Sequence, residues 1–292
     1  MRWKRGASTR DVIDVRGGGG GGGGRRGGAA LPVGGGLGVV GVVIFIALQL
    51  LGGGASGFNV PAGFDNATRA PGGQPIPADQ DPEKDLKDFS VYVFNSAQAT
   101  WERTFSKQGE SYERAKVVLY RQRVDTACGS ATSAVGPFYC PGDKFVYLDL
   151  SFFGDMESQL QASGDFAWAY VIAHEVGHHV QQQLGTSDEV NRIRRDDPDR
   201  ANEASVRLEL QADCYAGVWA NTVFESLEAG DVEEAIRASE AVGDDRLQQQ
   251  SGRGINPDSF THGSSAQRRA WFERGRARGE PADCDTFLVD DL

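Results

Sequence analysis

The chain has 292 residues, with 30 basic against 41 acidic side chains and a net charge of −11. That balance excludes a partner held by nucleic-acid phosphates. At 39% hydrophobic and 24% charged residues, the bulk is not disordered by composition either.

The charge is unevenly placed. Residues 1–57 hold seven basic and two acidic side chains and 20 of the 39 glycines, so the remainder is strongly acidic. Residues 1–28 read as a basic, glycine-rich head with an unbroken glycine run from Gly17 to Gly24. Residues 29–51, from Ala29 to Leu51, then carry no charge. As a helix they would reach about 34 Å, enough for a hydrocarbon core of about 30 Å. A transmembrane anchor in the lipid bilayer is expected. A cleaved signal peptide competes with it, but an amino-terminal region of roughly thirty residues is long for one.

Seven Lys/Arg precede the apolar stretch, whereas Arg69 is the only one between Gly52 and Gln80. The positive-inside bias therefore predicts a single-pass cell-membrane protein with a cytoplasmic amino terminus and an extracytoplasmic body. Four cysteines, Cys128, Cys140, Cys214 and Cys284, are an even number, as disulfides in an oxidising compartment require. Residues 52–80, with Pro61, Pro71, Pro75 and Pro77, read as a Gly/Pro-rich linker.

The folded body spans residues 81–292. Asp81-Pro82-Glu83 reads as a helix start, and Leu86, Phe89, Val93, Phe94, Ala97 and Trp101 continue at helical spacing. Residues 116–124 and 145–153 read as strands, and the Gly-, Ser- and Pro-containing stretch from Cys128 to Cys140 as a loop. Helices are expected over residues 165–184, 198–227, 264–278 and, shorter, 232–241. Early strands followed by helices predict an α+β fold.

Three of the four histidines fall in Ala173-His174-Glu175-Val176-Gly177-His178-His179. On a helix His174 and His178 lie one turn apart on one face, where two imidazoles can bind one metal ion. Glu175 sits at the edge of that face as candidate general base, and His179 points away. A core helix with hydrogen-bonded histidines is the bland alternative. A catalytic zinc takes a third protein ligand and keeps one position open. Leu184 and Gln181 do not fit the extended three-histidine pattern.

Glu209, 31 residues after His178, is the preferred third ligand, with Asp213 one turn further on as the carboxylate that fixes a ligand imidazole. Asp213 as the ligand itself is the main competitor. One Zn²⁺ per chain is expected. His262 is the remaining histidine and a candidate oxyanion donor, with Tyr215 as second choice.

These residues resemble the bacterial neutral zinc metallopeptidases, which are similar in turn to gluzincins. The likeness runs through Arg2-Trp3, residues 14–17, 136–141 and 146–153, the His-Glu-x-x-His helix, residues 210–217, residues 258–263 and Trp271-Phe272. It implies a zincin-like domain, with a small sheet, an active-site helix and a glutamate helix, that cleaves peptide bonds in a polypeptide substrate. It also strengthens His262 and suggests that Arg268 or Arg269 braces the site. Of the three pairings that four cysteines allow, Cys128–Cys140 and Cys214–Cys284 are expected. Two other function classes stay open: a zinc-binding, non-proteolytic envelope protein, and a metal amidohydrolase acting on cell-wall material.

Overall fold

The computed structural model describes residues 1–17 and 71–292. The expected anchor, residues 29–51, lies outside the described residues. Among the described ones, no helix is long and apolar enough to cross a membrane.

The strands are β1 (Val12–Asp14), β2 (Lys116–Tyr120), β3 (Arg123–Thr126), β4 (Gly129–Thr132), β5 (Phe138–Cys140) and β6 (Phe145–Asp149). The helices are α1 (Lys84–Lys107), α2 (Phe152–Ser158), α3 (Asp165–Leu184), α4 (Thr186–Asp196), α5 (Ala201–Thr222), α6 (Asp231–Ala241), α7 (Asp244–Gln250) and α8 (Ser265–Arg278). The mixed α+β character is as expected.

One sheet runs in the order β1-β2-β6-β5, with β5 alone antiparallel, and β3-β4 form a separate hairpin. Strand β2 is buried on both faces, which is why it reads as a continuous apolar run. Val117 and Leu119 join Val146 and Leu148 in a core with Phe94 and Trp101 of α1 and Trp168 of α3. Val118, Tyr120 and Tyr147 pack on the opposite side with Val124, Val135 and Phe138.

Several sequence expectations need correction. The strand expected over residues 116–124 breaks at Gln122, which adopts φ 63° and donates its backbone N–H to Asp149 at 2.9 Å. The expected loop between Cys128 and Cys140 contains β4 and β5, and β5 is a sheet edge. Phe152 and Phe153 begin α2 rather than ending a strand. Helices α4 and α7 lie outside the elements that the sequence predicts. Helix α1 begins at Lys84 with Glu83 at its cap position, and the buried Asp81 carboxylate accepts both the Glu83 backbone N–H at 3.0 Å and the Arg16 guanidinium.

Residues 1–17, the described part of the basic head, pack on the body. Strand β1 pairs in parallel with β2, and Trp3 packs on Phe89 and Tyr92 of α1 at 5.5 and 6.1 Å. The Met1 ammonium lies 2.8 Å from both carboxylate oxygens of Asp165, the first residue of α3, and 3.3 Å from Asp231.

Candidate metal centre

Helix α3 arrives apolar: Phe166, Ala167, Trp168, Ala169, Ile172 and Ala173 are all buried. It therefore carries its polar residues into the interior. Gly177, between the two site histidines, lets α5 come close. A Cβ there would stand 3.2 Å from the Ala212 carbonyl oxygen and 3.3 Å from its Cα. Helix α5 is buried almost throughout, so its acids Glu209 and Asp213 face other elements rather than water.

The two histidine rings have centroids 4.7 Å apart. His174 Nε2 lies 3.3 Å from Glu209 Oε2, and His178 Nε2 lies 3.5 Å from Glu209 Oε1. One donor atom from each of the three residues falls within 4.8 Å of the others. Glu209 is buried, yet its Oε1 has no hydrogen-bond partner. A buried carboxylate oxygen left bare is costly, and a shared cation would satisfy it. Two imidazole nitrogens and one carboxylate oxygen suit Zn²⁺ with a position to spare.

The electrostatics agree. Burial would favour a neutral Glu209, but His178 and His174 hold its carboxyl well below the ordinary range. Burial would likewise weaken proton binding at His174, yet Asp213 and Glu209 raise its pKa to about 10. The field that attracts a proton to that ring also attracts a metal ion.

Asp213 lies on the other side of His174, where its Oδ1 is 2.9 Å from Nδ1. It also accepts from the Tyr170 hydroxyl and, through both oxygens, from Arg268 at 2.8 and 2.9 Å. This arrangement fixes the His174 ring so that Nε2 points to Glu209. Arg269, the alternative brace, is half-exposed and pairs with Glu240 and Glu273.

His178 is held by a residue the sequence reading passed over as a site member. Gln181 Oε1 lies 2.8 Å from His178 Nδ1, while its amide nitrogen donates to the Leu208 carbonyl at 2.7 Å and to Gln211 at 3.1 Å. Gln181 thus ties the second histidine to the helix bearing Glu209. No motif marks it: it opens a run of three glutamines that reads as a solvated helix end.

Glu175 is buried, and that burial pushes its pKa up; His178, His174 and a backbone hydrogen bond from Tyr139 act in the opposite sense. Tyr139 lies at the centre of β5, so the outermost strand of the sheet runs beside the candidate base. The edge strand is β5, while β6 lies inside the sheet between β2 and β5. His179 stays out of the cluster. Its Nδ1 meets the Tyr139 hydroxyl at 3.1 Å and its Nε2 the Glu113 carbonyl at 2.7 Å, which fastens α3 to β5.

His262 is buried on a loop gathered by Asp244, whose Oδ2 accepts the backbone N–H groups of Thr261, His262 and Gly263. Its Nδ1 meets Thr261 Oγ1 at 2.9 Å and Asp244 Oδ1 at 3.3 Å. The ring is near enough to Glu209 to lower its pKa. Tyr215, the second choice, packs against Trp101 at 4.8 Å. The disulfides Cys128–Cys140 and Cys214–Cys284 are both present. The first anchors β5, and the second ties the carboxyl-terminal segment to α5 next to Asp213.

A family model described as "Putative neutral zinc metallopeptidase" matches residues 1–287. The chain belongs to that family. It is 43% identical over 296 residues to the uncharacterized protein YpfJ of Escherichia coli, covering 98% of this chain and 99% of that one. It is 45% identical over 215 residues to the uncharacterized protein Rv2575 of Mycobacterium tuberculosis, covering 69% and 71%. No solved structure matches the chain. The family match begins at residue 1, so it takes in the amino-terminal segment as well as the metal centre.

Proposed function

We propose that the protein is a zinc-dependent peptidase in which His174, His178 and Glu209 hold one Zn²⁺ and Glu175 is the general base. The observation that carries this reading is the Glu209 carboxylate, which closes on both imidazoles with one buried oxygen unpartnered.

Bound zinc supplies Lewis acidity: it lowers the pKa of a water and polarises the scissile carbonyl. The residues do the rest. Glu175, with its pKa raised by burial, takes a proton from the attacking water and returns it to the leaving amine. Asp213 and Gln181 keep the two rings oriented. With His262 Nδ1 committed to Asp244 and Thr261, Nε2 is the atom that would donate to the developing oxyanion. An extended polypeptide would lie along the edge strand β5, beside Glu175, in the general manner of strand addition.

The two disulfides support work in an oxidising compartment outside the cytoplasm, and residues 29–51 would attach the protein to lipid. The test compares full-length wild type with Glu175→Gln on an unstructured polypeptide. The variant is expected to keep its zinc and lose turnover by a factor of about 10² to 10⁴. Equal cleavage by both would reject Glu175 as the base.

A further inference from the structure

We infer that residues 1–17 are an integral part of the catalytic body and lie on the same side of any membrane as residues 71–292. The positive-inside bias predicts opposite sides for them. The structure joins them by contacts that cannot span a bilayer.

Backbone pairing comes first. Val12, Ile13 and Asp14 lie in register with Val117, Val118 and Leu119. The pairing is extended at both ends, by Val117 N–H to the Asp11 carbonyl at 2.8 Å and Val15 N–H to the Leu119 carbonyl at 2.9 Å. Arg16 then closes the segment onto α1. Its guanidinium is fully enclosed and reaches Asp14 at 2.8 Å, Asp81 at 2.6 Å and Glu83 at 3.0 Å.

The two ends of the intervening chain also meet. Gly17 N–H donates to the Gln74 carbonyl at 2.8 Å. A Cβ on Gly17 would come within 2.8 Å of that oxygen, and one on Gly73 within 2.5 Å of Val15 Cβ. These glycines allow the outgoing and returning strands to touch.

A single crossing by residues 29–51 would hold its flanks apart by a hydrocarbon core of about 30 Å, which a buried ion pair cannot bridge. The sequence between the flanks offers only that one long charge-free stretch. A single crossing between the two flanks is therefore incompatible with the clasp.

The clasp also explains why the charge rule misleads. Three of the head's basic groups bind the acidic body. Arg5 pairs with Asp85 at 2.9 Å, Arg2 donates to the Glu225 carbonyl, and Arg16 fills the acidic pocket. A signal-peptide cut, for which the small residues Gly52–Ser56 offer a place, would sever β1 from its covalent link to the sheet.

The test is single-cysteine labelling of the full chain in sealed membrane vesicles. All four native cysteines are in disulfides, so the background is silent. Thr9→Cys and Glu157→Cys each place one thiol on an exposed site, in the head and in the body respectively. With an impermeant maleimide, both are expected to react or both to be shielded, together. One site reacting while the other needs detergent would overturn the inference.

A second arm probes the clasp itself in the full chain. Arg16→Ala and Asp81→Ala are each expected to lower the unfolding midpoint, and the double variant should fall little further. Fully additive losses, or no loss at all, would also count against the inference. Neither arm depends on zinc or on peptidase activity.

Discussion

Replacing Asp213 by Asn tests the bracing of the centre without removing a proposed ligand. The carboxylate takes hydrogen bonds from both Arg268 nitrogens at 2.8 and 2.9 Å, from Tyr170 and from His174. Asn keeps the shape but offers one acceptor oxygen, and turns an N–H₂ group against donors. Arg268 is only 3% exposed, so its charge would remain buried and uncompensated. Breaking one side of such a pair costs about 3–5 kcal/mol. Asn retains some hydrogen bonding, so the lower end, about 3 kcal/mol, is expected in urea unfolding of the metal-free protein. Zinc affinity, measured by chelator competition, should fall about 10- to 100-fold as His174 loses its fixed orientation. The double variant Asp213→Leu, Arg268→Met should recover most of the stability, because no charge stays behind. A loss below about 1 kcal/mol with unchanged zinc affinity would refute the bracing role.

Gln181→Ala should weaken zinc binding about tenfold, by freeing the His178 ring, while Gln182→Ala, whose side chain is not at the centre, should leave it unchanged. Acid should loosen the amino-terminal clasp. Burial opposes ionisation of Asp81, but hydrogen bonds from Arg16 and Lys87 lower its pKa from 3.8 to about 2. Its contribution is then complete above about pH 4 and is lost as pH falls towards 2, about 2 kcal/mol in all. Asp81→Asn should remove that part of the pH dependence in an acid-unfolding series. Selective removal of Cys214–Cys284, which spans 70 residues of sequence, should cost about 4 kcal/mol in the chain-entropy view. Its absence should be read in the unfolding midpoint of Cys214→Ala, Cys284→Ala.

The parts of the molecule visible in the sequence are those with a long period or a strict spacing. Helix α3 matches its expected bounds because twenty residues carry an apolar face, His174 and His178 at helical spacing, and a glycine stop at Gly185. Glu209 stood out because an acid on an almost wholly apolar helix needs a partner. Strands β1, β4 and β5 did not stand out, since three or four residues give no alternation to detect. Helix α4 buries only Ser187, Val190 and Arg194, so its polar sequence reads as a connection. The head's arginines have the composition of a cytoplasmic flank, and the pairing of Arg5 with Asp85 and of Arg16 with Asp14, Asp81 and Glu83 is visible only in the fold. Gln181 and Asp244 carry no motif at all, and their roles depend on what other helices bring to them.

X-ray absorption on the purified, zinc-loaded full chain and its Glu209→Gln variant addresses the metal centre directly. One Zn²⁺ per chain is expected, ligated by two imidazoles and a carboxylate at about 2.0–2.1 Å, with occupancy sharply reduced in the variant. Zinc bound equally well by Glu209→Gln, or a shell without two imidazoles, would contradict the assignment of His174, His178 and Glu209.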